Sequence, residues 1–244
     1  LSKRQDKLRR KSNRRFDGSD IVELHADRFM HERQQPPIKP LNATQADYLD
    51  ALARGTQTVV LGPAGTGKTW IAATYAADLY RERRIRKIIL TRPNVPGGRG
   101  LGFLPGTLEE KFGPWAAPLI DAIKERIGAA AYEIALKNGD IEMVPFEVMR
   151  GRSWKDCFVL LDEAQNATPH EMKLFLTRIG EECRVVINGD VSQCDLREAS
   201  GLGTVIHLIK SNMMPVPVIE FTQADIVRSG ICAMWVRAFH DAQI

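Results

Sequence analysis

TVVLGPAGTGKT, residues 58–69, decides the fold. Its first part, TVVLG, is apolar and β-branched, the pattern of a strand buried on both faces. Its second part, GPAGTGKT (62–69), fits the G-x-x-x-x-G-K-[ST] template and opens a helical pattern running to about Tyr80. Strand, glycine-rich turn and helix in this order predict a phosphate-binding loop. The backbone of Gly62, Pro63, Ala64, Gly65, Thr66 and Gly67 wraps phosphate oxygens, with N–H groups turned inward at a helix N-terminus. Lys68 reaches the β- and γ-phosphates, and the Thr69 hydroxyl ligates Mg²⁺.

Four more apolar runs lie along the chain: KIILTR (87–92), CFVLLDEA (157–164), RVVINGD (184–190) and PVIEFT (217–222). Helical patterns separate most of them, which predicts a parallel, doubly wound α/β sheet. Residues 93–156 are too long for a simple crossover and read as an insertion between the second and third strands. A helix is expected to start at Asn42, a strong N-cap, with Gln45 three residues later. Before it, QQPPIKP (34–40) is a stiff linker. The expected division is a basic arm and linker over 1–40 and a nucleotide-binding domain over 41–244.

The acidic partner of the loop is FVLLDEAQ (158–165). Asp162 falls at the tip of a buried strand, where it holds Mg²⁺. Glu163 beside it can deprotonate an attacking water. An adjacent Asp-Glu pair favours hydrolysis over a small-molecule kinase, and no arginine-rich lid is apparent. In VINGDVSQCDL (186–196) a strand ends at Gly189. Gln193 then carries a donor and an acceptor and can meet a γ-phosphate or a water. The other reading of that stretch is an Asx-turn at Asp190 with Gln193 solvated.

Charge is uneven. Residues 1–15 hold eight Lys/Arg and one Asp, so this leader carries +7 of a net +4 and leaves the other 229 residues at −3. A basic arm suits phosphate backbones or anionic surfaces. No apolar run approaches the ~18 residues of a membrane span. The four cysteines have no CxxC spacing and read as buried thiols of a cytoplasmic protein.

Taken together, GPAGTGKT, TRP (91–93), LGFLPG (101–106), MRGRS (149–153), LLDEAQNATP (160–169), MKLFLTRIG (172–180), GDVSQCDL (189–196), SGL (200–202) and DIVR (225–228) resemble the PhoH-like ATPases in content and order. That family is similar to the first core of superfamily 1 helicases. The resemblance implies ATP hydrolysis with Mg²⁺, a RecA-like core and coupling to single-stranded nucleic acid, RNA favoured over DNA. It marks Gln45 as an adenine reader, although a capping role fits equally, and Gln193 as the γ-phosphate sensor. Departures from the family pattern stand at Pro96, Arg99, Arg197 and Ser229-Gly230.

A superfamily 1 helicase hydrolyses ATP between two cores, and this chain has room for one. The expectation is a ring, hexameric by resemblance, in which each subunit lends Arg178 or Arg228 to its neighbour. Arg92, Arg99, Arg150 and Arg152 are the expected polymer contacts, near the C-terminal ends of the strands. Phe103, Trp115 and Trp154 are either base-stacking residues or core. The competing reading is a nucleotide-gated RNA-binding or assembly protein with little turnover.

Overall fold

A computed structural model describes residues 35–93, 108–196 and 199–227, with positions 230, 231, 234, 235 and 238. The basic leader, LGFLPG, Arg99, Arg197 and Arg228 lie outside the described residues. Six parallel strands form one sheet: β1 (Gln57–Leu61), β2 (Lys87–Thr91), β3 (Ile141–Met143), β4 (Cys157–Leu161), β5 (Arg184–Gly189) and β6 (Val218–Glu220). Their spatial order is β3-β2-β4-β5-β1-β6. One strand, β5, therefore separates the phosphate-loop strand β1 from the acidic strand β4, the RecA-like arrangement.

The strands read as unbroken apolar runs because both faces are covered. Val60, Ile88, Leu90, Phe158, Leu160 and Val186 pack under α1 (Ala43–Arg54), α2 (Lys68–Arg81), α3 (Leu108–Ile127) and α4 (Ala129–Asn138). Val59, Ile89, Val159, Val185 and Ile187 pack under α5 (Pro169–Leu176) and α6 (Gly201–Ser211). Each such side chain contributes about 1.5–3 kcal/mol on burial.

Local signals set the helix starts. Asn42 accepts the Gln45 N–H at 2.8 Å, as an N-cap should. Thr168 and Glu171 close a capping box at α5, with Pro169 in its first turn. The Ser200 side chain accepts from Leu202 N–H and caps α6.

The stretch 93–156 differs from expectation. It contains α3, α4 and a sixth strand, β3, which pairs with β2 through Ile88–Ile141 and Leu90–Met143. It is thus two crossovers joined by an edge strand. Ile-Glu-Met is three residues long with a central charge, too short to show a period. Trp154 is core: it is buried and packs on Phe175 with ring centroids 6.0 Å apart. Cys157 and Cys183 are buried thiols as expected, whereas Cys194 is exposed.

Candidate functional site

The first glycine of the loop is dictated by packing. Gly62 has φ +130°, and a Cβ there would lie 2.3 Å from the Phe221 carbonyl oxygen. Only glycine lets β1 turn so close to β6. Gly67 then caps α2 from the left-handed region, at φ 89°. Lys68, the first residue of α2, is buried. Its ammonium donates to the carbonyls of Gly62 (2.6 Å) and Pro63 (2.7 Å). Burial lowers its pKa, against the opposing pull of Asp190, Asp162 and Glu163.

A cavity of about 340 Å³ opens over this loop. Gly62, Gly65, Lys68 and Thr69 form one wall, Asp162 and Glu163 a second, and Asp190 and Gln193 a third. Thr69 donates its hydroxyl proton to Asp162 Oδ1 at 3.0 Å, across 93 residues of sequence. Burial, then the neighbouring Glu163, raises the Asp162 pKa, while the Thr69 bond, Arg92 and Lys68 oppose the shift.

Strand spacing explains the third wall. Parallel neighbours stand about 4.8 Å apart, so β1 and β4 leave a slot about 10 Å wide with the end of β5 in it. Asp190 follows β5 there. Its Oδ1 accepts from Ser192 N–H (2.9 Å) and Oγ–H (2.6 Å), a true Asx-turn. Asp190 makes the turn, and the turn sets the exposed Gln193 on the cavity wall. Asp190 Oδ2 is buried without a hydrogen-bond partner.

That orphaned carboxylate oxygen, the Thr69 hydroxyl and the Asp162 carboxylate make an all-oxygen donor set beside the phosphate loop. It fits Mg²⁺, which takes one or two carboxylates together with substrate phosphates and water. Among the described residues no group of three or more His, Cys, Asp or Glu forms a metal cage by itself.

Glu163 adopts a left-handed backbone, φ 53° and ψ 40°. For a residue with a Cβ this costs about 1–2 kcal/mol. The turn ends β4 abruptly, and its side chain lines the cavity. Its Oε1 lies 3.8 Å from Arg92 Nη2, and its Oε2 accepts from Gln165 Nε2 at 2.6 Å.

Other expected residues are distributed as follows. Arg92 lines the cavity. Gln45 is buried under the loop: its amide oxygen accepts from Leu41 N–H (2.8 Å) and its amide nitrogen donates to the Thr66 carbonyl (3.0 Å). Its oxygen meets the residue before the Asn42 cap rather than the cap's own N–H, so the capping box is not closed, and its nitrogen braces the loop. Arg178 sits between α5 and β5, where its carbonyl accepts from Trp154 N–H at 3.0 Å. That is the N-terminal edge of the sheet, about 17 Å of strand from the cavity. Arg150 and Arg152 lie between β3 and β4, and Arg152 pairs with Glu142, the central residue of β3, at 2.7 Å.

Sequence reasoning missed three contributors. Trp70, next to Thr69, is 44% exposed on the cavity wall. Its position after the loop threonine was legible, but nothing marked it as exposed. Gln165 was visible in DEAQ but carries no chemistry of its own. DIVR carries a structural role that its spacing does not reveal. Here Val227 donates its N–H to the Gly65 carbonyl at 3.0 Å, and Asp225 accepts from Thr44 at 2.9 Å, so this segment straps the loop to α1.

Removing the Asp162 charge has a predictable sign. A raised folded-state pKa means the ionised carboxylate weighs against the fold at neutral pH. That group's stabilising contribution is present at acid pH and lost as pH rises through its folded pKa. Asp162→Asn is expected to raise the melting temperature at pH 7. Magnesium-dependent nucleotide binding should fall in the same variant. Scanning calorimetry across neutral to acid pH checks the sign, because the gain should shrink as the pH falls through the folded pKa.

The family model described as "PhoH-like protein" matches residues 37–240. A PhoH-like protein of Bacillus subtilis is 44% identical over 197 residues, 80% of this chain and 61% of its own length. Protein PhoH of Escherichia coli is 40% identical over 211 residues, 85% of this chain and 59% of its own. The chain thus spans about three-fifths of the length of these relatives. Among solved structures, the Pif1 helicase of Candida albicans aligns over 76% of this chain and 41% of its own, at 17% identity and a TM-score of 0.39. No helix among the described residues is long and apolar enough to cross a membrane. The family match covers the loop, the acidic strand end and the turn after β5 alike, and the chain belongs to the PhoH-like protein family.

Proposed function

We propose that the chain hydrolyses ATP and couples hydrolysis to binding and movement along single-stranded nucleic acid, RNA favoured, as a ring of identical subunits. The observation that carries the reading is the convergence of Lys68, Thr69, Asp162, Glu163 and Gln193 on one cavity. A nucleotide binder without turnover needs the first two. An adjacent base and a phosphate reader serve hydrolysis.

Backbone N–H groups of the loop and the Lys68 ammonium bind the β- and γ-phosphate oxygens. Thr69 and Asp162 would hold Mg²⁺, which when bound neutralises phosphate charge. Glu163 orients a water and takes its proton. Gln193 contacts the γ-phosphate and loses that contact on hydrolysis, so the turn after β5 moves. Arg92 lines the cavity, where a polymer phosphate would meet it, and Arg99 is the second proposed contact. Arg152 is already paired with Glu142.

One observation favours the low-turnover alternative. The Glu163 carboxylate is already engaged by Gln165 and faces Arg92. A polymer drawing Arg92 away would release one of these restraints.

The test is ATP turnover with no polymer, with single-stranded RNA and with single-stranded DNA, using Lys68→Ala as the blank. We expect stimulation of about tenfold or more by RNA, as expected when binding completes a catalytic geometry. Equal rates in all three conditions would remove the motor reading.

A further inference from the structure

We propose that Gln165 is a positioning residue that ties the Glu163 carboxylate to the turn after β5, so that base and phosphate reader move as one unit. This rests on the roles of Glu163 and Gln193 given above.

Gln165 lies in the short 3₁₀ turn Ala164–Asn166 that follows β4, and only 1% of it is exposed. Its amide is used at both ends. The nitrogen donates to Glu163 Oε2 at 2.6 Å, and the oxygen accepts the Asp190 N–H at 3.0 Å. One neutral group therefore bridges the ends of two adjacent strands. The requirement is specific: a group of this length must donate to a carboxylate and accept from a peptide N–H. Glutamate has the shape but cannot donate when ionised. Methionine has the length but neither function.

The surroundings are built for the bridge. A Cβ on Gly189 would stand 3.0 Å from the Gln165 amide oxygen and 2.5 Å from Leu202 Cδ2. Glycine there lets the amide reach the Asp190 peptide. The Gln165 carbonyl accepts from Ser200 Oγ at 2.8 Å. Next to it, Asn166 accepts the Asp195 N–H at 2.9 Å and donates to the Asp195 carboxylate at 3.3 Å. Two successive amides thus grip the connection from β5 to α6 at several points.

The path to the cavity is short. Gln193 donates its N–H to the Asp190 carbonyl at 3.1 Å, which closes the turn. A displacement of Gln193 pulls on the Asp190 peptide, whose N–H is held by Gln165. The same amide holds Glu163, itself on a left-handed backbone. Loss of the γ-phosphate contact would withdraw the base from its place.

Backbone hydrogen exchange of the segment 189–196 tests this in the full chain without nucleotide. Wild type, Glu163→Ala, Gln165→Met and the double variant form a cycle. Each single change should speed exchange by about threefold to tenfold, the equivalent of one buried hydrogen bond. The double variant should exchange no faster than Gln165→Met. Gln165→Leu provides a second cycle should Gln165→Met not fold: it also lacks both functions, so it should speed exchange as Gln165→Met does, and Glu163→Ala should add nothing on top of it. With ATP, either Gln165 variant should lower kcat by about tenfold while the Kd of a fluorescent ATP analogue stays within about twofold.

Additive exchange effects, or a Glu163→Ala variant that leaves 189–196 unchanged, would overturn the tie. Joint loss of kcat, nucleotide affinity and melting temperature would reduce Gln165 to a packing residue and overturn it too. Coupled exchange in a chain without ATP turnover would leave the tie standing and overturn the hydrolysis reading.

Discussion

Glu163→Gln should lower ATP turnover by about 10²–10⁴-fold, the usual contribution of a positioned general base. The substitution is nearly isosteric and keeps an acceptor for the Gln165 amide. It removes the only property hydrolysis needs from this residue, a basic oxygen. Lys68, Thr69 and the loop backbone are untouched, so affinity for an ATP analogue should stay within about twofold of wild type. Single-turnover hydrolysis and equilibrium binding of a fluorescent analogue separate the two quantities. If wild type and variant hydrolyse ATP at the same slow rate, the chain is a nucleotide-gated binding protein. Neighbouring Asp162 offers a contrast: its replacement by Asn should affect metal-dependent binding, whereas Glu163→Gln should not.

The second large effect concerns a residue that cannot act within its own subunit. Arg178 lies at the N-terminal edge of the sheet, between α5 and β5, with the cavity at the opposite edge. If it completes a neighbour's site, Arg178→Ala should lower turnover by about 10³–10⁵-fold, the range for a transition-state arginine supplied in trans. The decisive version mixes subunits. Arg178→Ala and Lys68→Ala should each be inactive alone. In a mixed ring, the intact loop of the first meets the intact arginine of the second, and activity should reappear. The same mixture with Arg228→Ala decides between the two arginines. No recovery with either, together with a monomer by light scattering in the presence of an ATP analogue and brisk turnover, would end the proposal.

The phosphate loop was legible because its chemistry is local. Eight consecutive residues set the turn, the helix start and the lysine, and no distant contact can replace them. Asp162 was legible for a related reason, since four apolar residues followed by an acid place the acid at a strand tip. Gln45 was half legible. Its place three residues after the Asn42 cap was readable, but its side chain bonds Leu41 N–H and Thr66 O, and the second joins two elements that sequence spacing does not relate. Strand β3 was not legible: three residues with a central glutamate carry no period, and pairing to β2 supplies what the pattern lacks. The pairing of Arg152 with Glu142 was not legible either, because it depends on how the chain returns from β3 to the start of β4. Sequence order does not reveal how many residues that return takes.

By itself, then, the sequence determined that a strand, a glycine-rich turn and a helix would make a phosphate-binding loop, and that an Asp-Glu pair would end a buried strand. It did not determine that these would meet. That depended on β5 pairing with both β1 and β4, which sets the strand-tip carboxylate against Thr69 and places Asp190 between them. The bridge through Gln165 follows from the same pairing. Strand order is chosen by the packing of whole faces and by backbone hydrogen bonds between segments more than twenty residues apart. No local pattern encodes those contacts, so only the tertiary structure could decide them.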